Sequence, residues 1–387
     1  LGAISGPHDG TGMMASTIGQ TMRRKGQILC FAAGNDAKLQ SSLERDFSVD
    51  STPVSTAFAQ THYGTPAPYA YMQAWSADDK ITEVCVHVID TDTRQVVYTS
   101  DYVSVDTHRK MSESLYLLDS YGNEGSLFPE LDTYFDGMIF VVGNVISQNK
   151  RYVTELLAQL DNVGYYSRYA LGMSIKSDAG AEVMMTTSAS RCFFKSYGVE
   201  SFVTGNGDNS ISDYCTSSNV VAVGAWNARK SFTDIYGNQG YLDEGYHGPH
   251  NGIGGYSSYG RNYGKEGGYL PHVLAPGTNV VAAVLGQYYE YYESLVAENN
   301  GYYWGTMTGT SMACPFATGV IALWLEAKSD LNRDQVLEII SATAMTDEYT
   351  EDAPERSGYG KIDAYNGLKY IYTNYLGVES AVAPDEL

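Results

Sequence analysis

The chain has 387 residues, of which 43% are hydrophobic, so it can bury a substantial core and is neither a disordered nor a fibrous protein. Its 45 acidic residues against 24 Lys and Arg give a formal net charge of −21. Such a surface repels nucleic-acid phosphates and anionic lipid, which excludes both as expected partners. No run approaches the ~18 consecutive apolar residues of a membrane-spanning helix.

The composition bears on where the protein is located and on the role of its cysteines. The acidic balance, with 33 tyrosines and 40 glycines, favours a secreted or cell-surface protein. The cysteines are odd in number, and no pair has the close spacing of a zinc site, so we expect mostly small buried hydrophobic side chains. They are Cys30, Cys85, Cys192, Cys215 and Cys314.

The chain begins with a predicted helix and a predicted buried strand. Thr11 is the expected N-cap of an amphipathic helix that carries Met13 and Ile18, and residues 23–26 (Arg-Arg-Lys-Gly) close it with cations and a glycine. Residues 28–33 (Ile-Leu-Cys-Phe-Ala-Ala) are apolar without alternation. This pattern predicts a strand of a parallel sheet that is covered on both faces.

From about residue 51 to 204 the pattern changes to short β-rich runs separated by polar turns. Regularly spaced short strands predict an antiparallel sandwich. Residues 151–163 fit either a strand or a helix. The clearest predicted strands are 81–89, 94–100, 137–146, 169–175 and 181–187.

After residue 205 the α/β pattern returns. Residues 219–225 form an apolar run, and residues 312–327 form an almost wholly apolar helix that we expect to be buried on all sides. A last helix is predicted at 332–344, where Asn332 and Gln335 have the spacing of a capping box.

The strongest chemical signal is residues 309–315 (Gly-Thr-Ser-Met-Ala-Cys-Pro), at the start of the apolar helix. A helix N-terminus offers unpaired N–H groups and a positive dipole end, which favour developing negative charge near Ser311. Pro315 falls in the first turn, where its missing donor does no harm. A plain Ser/Thr helix cap is the alternative interpretation of such a pair.

The segment 309–315 resembles the nucleophile motif of the subtilase family, and four further segments match family motifs in the family's order. Together the matches cover roughly residues 1–48 and 205–375. The four are 31–35 (Phe-Ala-Ala-Gly-Asn), like the oxyanion motif; 219–225, like the strand that follows; 274–278 (Leu-Ala-Pro-Gly-Thr), like the turn ahead of the serine; and 358–364 (Gly-Tyr-Gly-Lys-Ile-Asp-Ala), like the segment near the domain end.

The resemblance implies an α/β, parallel-sheet, subtilisin-like domain that is incomplete at its N-terminus and interrupted by an antiparallel β-sandwich or jelly-roll insertion. Residues 1–50 are then the first part of the subtilase domain and 51–204 the insertion. Residues 205–375 are its second part, and 376–387 are a C-terminal tail or linker.

The resemblance also implies a serine endopeptidase that acts on protein or peptide substrates. Ser311 is the expected nucleophile, and the Asn35 amide with the Ser311 backbone N–H is the expected oxyanion hole. A simple turn residue after a strand is the alternative interpretation of Asn35. Leu1-Gly2 looks like the tail of the family's substrate-binding Ser-Leu-Gly strand. The implied substrate-binding residues are Leu1, Gly2, Gly34, Gly309 and Thr310.

Subtilase triads run Asp, His, Ser along the chain, and the first two precede the Ser-Leu-Gly strand. If that strand ends at Gly2, both are missing here, and the chain alone is expected to be a fragment with little activity. His8 lies in a segment that resembles the histidine motif, but it has an extra Asp9 and stands too close to Asn35. We expect it in the loop that opens the first helix. Residues 88–92 (Val-Ile-Asp-Thr-Asp) resemble the aspartate motif but are expected to form a hairpin turn.

No cofactor is required for this chemistry, and metal binding is expected only at the level of the family. His247 and His250 have metal-ligand spacing but no evident third ligand, which favours a polar loop. Calcium is common in subtilases, and carboxylates such as Asp208 and Asp213 are plentiful, yet no loop has a recognisable ligand spacing. His272 stands where the family often has an acidic residue.

Two other functions fit the sequence. The first is a pseudoprotease that acts as a binding or scaffold protein after the loss of its upstream Asp or His. The second makes the β-sandwich the functional part, with its tyrosines binding glycan or a protein surface, or acting as an exosite or lid of the cleft. Intact Ser311 and Asn35 favour the protease, and oligomeric state cannot be predicted from these patterns.

Overall fold

The computed structural model describes residues 4–21, 23–62, 65–66, 69–102, 129–135, 137–146, 149–160, 167–187, 192–285 and 294–378. Within these residues the chain forms two compact units. The first contains His8–Ala37 and the chain from Ile211 onward. The second contains Lys38–Ser210 with the short segment that ends at Pro7.

The described elements are mostly short strands. The helices are α1 (Met13–Gly19), α2 (Glu244–His247), α3 (Thr310–Ala327), α4 (Arg333–Thr343), α5 (Glu348–Glu351), α6 (Pro354–Ser357) and α7 (Ala364–Asn374). The first strands are β1 (Leu29–Ala32), β2 (Ser42–Asp46), β3 (Val54–His62), β4 (Thr65–Pro66), β5 (Tyr69–Ser76), β6 (Glu83–Asp90), β7 (Gln95–Thr99), β8 (Gly137–Ile146), β9 (Tyr152–Leu160), β10 (Tyr169–Lys176), β11 (Glu182–Thr187) and β12 (Cys192–Lys195). The remaining strands are β13 (Val220–Trp226), β14 (Ser231–Thr233), β15 (Gln239–Tyr241), β16 (Gly260–Arg261), β17 (Tyr269–Leu270), β18 (Val273–Pro276), β19 (Val280–Val284), β20 (Leu295–Asn299) and β21 (Tyr302–Met307).

A parallel sheet forms the centre of the first unit, as the apolar runs predict. β13 lies between β1 and β18, with Cys30 opposite Val221 and Val223 opposite Val273. Both faces of β13 are buried: Val221 and Val223 pack into the core shared with α3, and Ala222 packs into a second cluster on the other face. The predicted parallel sheet is confirmed, because a strand covered on both faces needs an apolar side chain at every position.

α3 packs one side on this sheet and leaves its other side exposed. Ala313, Ala317 and Trp324 are fully buried, whereas Phe316 is 47% and Leu323 48% exposed. The prediction of a helix buried all round is therefore wrong for the described chain, because only one face of α3 reaches the sheet. α3 is also long and apolar enough to cross a membrane by length and composition alone, and a third of it is buried.

Two helices after α3 complete this core. α4 begins with the predicted capping box: Asn332 accepts from the Gln335 amide at 2.9 Å, and Gln335 accepts from the Asn332 amide at 3.0 Å. α7 approaches α3 closely, and a Cβ placed on Gly367 would lie 2.2 Å from the ring of Trp324. Glycine at position 367 therefore sets the distance between the two helices.

The start of α1 differs from its prediction. Thr11 is not the N-cap, because its amide and hydroxyl donate to the Asp9 carboxylate at 2.9 and 2.7 Å. Gly12 occupies the N-cap position instead. α1 ends at Gly19, before the cationic segment, and Arg23 Nε donates back to the Gly19 carbonyl at 2.9 Å.

The second unit consists of two antiparallel sheets around one core. One sheet has the order β12-β3-β10-β6-β7, with β4 paired to β3, and the other has the order β2-β11-β5-β9-β8. Val86 and Leu171 from the first sheet and Met72 and Leu156 from the second are buried in the shared core. Their neighbours along each strand face the opposite side, as the alternation of side chains in a strand requires.

The limits of this unit, 38–210, are wider than the predicted 51–204. β2 pairs with β11, where Ser42 lies opposite Thr186. The amides of Ser42 and Asn206 each donate to the other's carbonyl at 2.9 Å. These pairings draw residues before 51 and after 204 into the unit. The ambiguous segment 151–163 contains strand β9, which pairs with both β5 and β8.

The predicted hairpin turn is confirmed between β6 and β7. Asp90 Oδ1 accepts hydrogen bonds from the amides of Asp92 and Thr93 at 3.1 and 3.2 Å. The Arg168 guanidinium donates to the same carboxylate at 2.7 Å, and this hydrogen bond lowers the pKa of Asp90. The Asp90 carboxylate thus stabilises its own turn.

Candidate active site

Ser311 is the second residue of α3, the helix that follows the parallel sheet, and it is exposed at the N-terminal end of that helix. The amides of a first helical turn have no partner within the helix, so the Ser311 N–H can serve a ligand. The positive end of the helix dipole adds to the attraction for negative charge. The structure thus places the predicted nucleophile where an oxyanion could be stabilised.

Gly309, the N-cap of α3, holds this turn in place. Its amide donates to the carbonyl of Gly277 at 2.8 Å, which ties the serine motif to the Ala-Pro-Gly turn after β18. Its φ of 151° lies in the region that favours glycine, and a Cβ here would lie 3.2 Å from Asn35 Nδ2. Position 309 therefore needs glycine for both its conformation and the close approach of Asn35.

Asn35 is exposed just beyond the carboxyl end of β1, and its amide is oriented by Thr310. Asn35 Oδ1 accepts from the Thr310 backbone N–H at 2.9 Å and from the Thr310 hydroxyl at 3.1 Å. A backbone N–H can only donate, so the atom that faces it must be the carbonyl oxygen. The Nδ2 group is consequently left to donate elsewhere, beside the first turn that carries Ser311.

Thr310 also fixes the end of β1. Its Oγ1 lies 3.2 Å from both the amide and the carbonyl of Gly34. The Gly34 carbonyl accepts the Ser258 amide at 3.0 Å, and Gly34 has a φ of 115°, a conformation that favours glycine. Gly34, Asn35 and Thr310 therefore form one hydrogen-bonded group beside Ser311, next to the Gly309 turn. Leu1 and Gly2, the other predicted substrate-binding residues, lie outside the described residues.

A buried network supports this group, and no sequence pattern indicated it. The Tyr256 hydroxyl lies 2.9 Å from both the Gly277 carbonyl and Thr278 Oγ1, and Thr278 Oγ1 donates to Asn227 Oδ1 at 2.6 Å. Burial raises the pKa of Tyr256 to about 12, so its hydroxyl keeps its proton. The network fixes the turn that holds Gly309.

Asp36, next to Asn35, was also missed by the sequence analysis. Burial raises the pKa of its carboxyl to about 6, and its amide donates to Ser258 Oγ at 2.9 Å. An acidic residue after the oxyanion motif is the signal that could have drawn attention to it. It places a carboxyl that titrates near pH 6 one position along the chain from Asn35.

His8, which resembles the triad histidine, and His247, considered as a metal ligand, both have other contacts. His8 is fully buried in the loop before α1, as predicted, where its amide donates to the Asp213 carboxylate at 3.0 Å and its carbonyl accepts from Tyr263. His247 lies in α2, and its ring packs edge-on against Tyr256 at 5.9 Å. Among the described residues, none forms a hydrogen bond with the Ser311 side chain.

Metal binding finds no support within the described part of the chain. No three His, Cys, Asp or Glu side chains there lie close enough together to hold an ion. Asp213, one of the carboxylates considered for calcium, accepts the His8 amide.

A serine on the first turn of a helix that follows a parallel sheet, with an asparagine amide fixed beside it, is typical of α/β serine hydrolases. The sequence profile of the Subtilase family matches residues 3–360, and the chain belongs to this family.

Two curated relatives and one solved structure resemble the chain. Serine protease AprX of Bacillus subtilis is 35% identical over 118 residues, which are 30% of this chain and 25% of AprX. Bacillopeptidase F of the same organism is 33% identical over 110 residues, which are 28% of this chain and 7% of that protein. The structure of the CspB protease of Clostridium perfringens matches 97% of this chain and 66% of that chain, with a TM-score of 0.64 and 14% identity. The last likeness concerns the fold alone.

Proposed function

We propose that this chain carries the nucleophile and the oxyanion hole of a serine endopeptidase. Ser311 Oγ attacks the carbonyl carbon of the scissile peptide, and the electron pair of the C=O π bond moves to oxygen. The Ser311 N–H and Asn35 Nδ2 donate to that oxygen. The observation that carries the proposal is the orientation of the Asn35 amide, whose oxygen is held by both donors of Thr310.

The proton of Ser311 passes to a histidine that is oriented by an aspartate, and both come from sequence N-terminal to the motifs of this chain. The support is twofold. The family's triad order places both residues ahead of the asparagine motif. In addition, β1 is an edge strand of the described parallel sheet, and α3 exposes Phe316 and Leu323 next to it. Further strands and a helix of the same domain would cover these surfaces. Without them this chain binds peptide weakly and cleaves little.

The domain organisation is part of the same proposal. The subtilase domain consists mainly of residues 8–37 and 211–375, the β-sandwich unit 38–210 is inserted between the oxyanion and serine motifs, and 376–387 are a tail. Substrate lies along Leu1 and Gly2 and against Gly34, Gly309 and Thr310. The acidic composition supports a secreted or cell-surface location, where the substrates are proteins or peptides.

Active-site labelling tests the nucleophile. We expect a fluorophosphonate probe to label the full-length protein stoichiometrically at Ser311, because only an activated serine reacts with it. Ser311→Ala removes the label, whereas Ser341→Ala, a control in α4, retains it. Mass spectrometry of the labelled peptide identifies the site. An unlabelled wild-type protein, or a label that persists in Ser311→Ala, would contradict the proposal.

A further inference from the structure

A cavity of about 710 Å³ opens at the amino end of β18 in the first unit. The carboxyl ends of parallel strands lie at the same edge of the sheet, and Asn35 and Gly277 lie just beyond the carboxyl ends of β1 and β18. The cavity therefore lies at the opposite end of the sheet from Ser311. Its walls include Tyr269, Pro271, His272, Leu337, Glu355 and Tyr359.

His272 brings a buried hydrogen-bond donor to this cavity. The ring is 9% exposed, and its Nδ1 faces the Ala222 amide at 2.8 Å. Because that amide can only donate, Nδ1 carries a lone pair and the proton of the neutral ring is on Nε2. The polar neighbour of Nε2 is Arg333 Nη2 at 3.3 Å, which also can only donate. The Nε2–H group therefore calls for an oxygen atom as acceptor.

The charges around His272 favour a neutral oxygen over an anion. Arg333 forms a bidentate pair with Glu266 at 2.7 and 2.8 Å, and its Nε donates to the Val220 carbonyl. Its charge is thus already neutralised. Glu266, which lines the cavity, is neutralised in the same pair, so Glu355 supplies the negative charge of the described lining, which contains no Lys or Arg. A phosphate or carboxylate would be repelled, whereas a peptide carbonyl would not.

The rest of the wall suits an extended peptide. Tyr269 is 54% and Tyr359 46% exposed, and both stand beside buried Pro271. Aromatic rings that line a groove are the usual recognition surface for proline-containing segments. A cation next to a tyrosine ring gains from the ring's negative face, and the Glu355 carboxylate adds to that attraction. A Cβ at Gly268 in the rim would meet no atom within 4 Å, so the rim leaves room for a passing chain.

We propose that this cavity is a second binding site, for an extended segment of a partner protein in which a proline stands beside an arginine or lysine. A backbone carbonyl of the segment accepts the His272 Nε2–H, and the proline packs against Tyr269 and Tyr359. The basic side chain lies beside Glu355. The site goes beyond the proposed protease activity, because none of its residues touches the serine motif.

Fluorescence anisotropy of the full-length Ser311→Ala protein tests this site without cleavage. The probe is a fluorescein-labelled octapeptide of alternating proline and arginine, compared with the same peptide carrying glutamate for arginine and with one carrying alanine for proline. We expect the first peptide to bind at least tenfold more tightly than either other. Equal binding of the three peptides would overturn the proposal.

Variants locate the binding. Tyr359→Ala and Glu355→Gln each weaken binding of the proline–arginine peptide at least tenfold, and Tyr365→Ala, an equally exposed tyrosine on α7, leaves it unchanged. Glu355→Gln keeps the shape of the wall, so its effect cannot come from misfolding. Wild-type protein labelled at Ser311 by fluorophosphonate still binds the peptide. If this labelling abolishes binding, or if the wall variants bind like Tyr365→Ala, the cavity is not the site. Failure of the protease proposal would appear separately, as absent labelling.

Discussion

At the scale of single residues, the candidate site depends on one threonine that is not itself a nucleophile. Thr310 uses its amide and hydroxyl to hold Asn35 Oδ1, and the same hydroxyl contacts both polar backbone groups of Gly34. Thr310 is therefore a positioning residue: it leaves the Nδ2 end of the Asn35 amide free for the proposed oxyanion.

This role predicts a graded loss of rate in the full-length protease. Thr310→Val keeps the shape of the side chain and the backbone hydrogen bond but removes the hydroxyl. We expect kcat to fall about tenfold, because the lost hydrogen bond contributes about 1.4 kcal/mol, and KM to stay unchanged. Thr310→Ser restores the rate. Asn35→Ala loses the donor itself and costs about 100- to 1000-fold, a magnitude established in a subtilisin. Steady-state kinetics on one peptide substrate checks all three. A Thr310→Val enzyme with altered KM and normal kcat would contradict the role.

At the scale of elements, local patterns predicted what is locally determined. The parallel strand β13, the capping box of α4 and the β6–β7 hairpin each follow from a few adjacent side chains. The bonds between Asn35 and Thr310 join residues 275 positions apart, and no local pattern shows them. The same holds for the network around Tyr256. α1 was placed wrongly at its start because Asp9 binds the Thr11 side chain that should have capped it.

The exposed face of α3 gives the prediction at this scale. Phe316→Ser with Leu323→Gln changes only half-exposed positions in the described chain, so the free energy of unfolding of this chain alone changes by less than about 1 kcal/mol. In the full-length protease, where we propose that this face is covered, the same pair costs at least about 3 kcal/mol through lost burial.

Urea unfolding of the two proteins in parallel measures the difference. The matched control is Tyr365→Ser with Tyr372→Gln on α7, also partly exposed, which changes both proteins alike. Equal effects of the α3 pair on both proteins would show that nothing covers the helix.

At the scale of the whole molecule, a buried histidine bears on how the second unit responds to pH. The second unit encloses His87, whose Nδ1 lies 2.9 Å from Thr99 Oγ1 and whose Nε2 lies 2.6 Å from Ser174 Oγ. The ring also packs edge-on against Phe202 at 5.4 Å. Burial lowers the pKa of His87 to about 4, so the ring is neutral in the folded unit at physiological pH.

This histidine predicts an acid-sensitive second unit. Its folded pKa lies below the value of about 6.5 in an unfolded chain, so the unfolded state binds more protons between the two. The free energy of unfolding of this unit therefore falls as the pH drops below about 6.5. The loss is complete below about pH 4, where it amounts to roughly 3 kcal/mol at most. Hydrogen exchange of peptides from 38–210 at pH 7 and pH 4.5 measures the loss.

His87→Gln keeps polar atoms at this position and flattens the pH dependence in the second unit. The first unit serves as the internal control, since its exchange at either pH is unaffected by this substitution. An unchanged pH dependence of peptides from 38–210 in the variant would assign the acid sensitivity to other groups.

The separation of Asn35 from Thr310 also orders events during synthesis. A ribosome that has made Asn35 must add the whole 38–210 unit and the strands of the second half before it reaches the threonine that orients the amide. Until then the nascent chain has Asn35 without its anchor and lacks Ser311. In the proposed protease, the oxyanion hole and the nucleophile are therefore completed late in synthesis, and an incomplete nascent chain does not cleave the proteins around it.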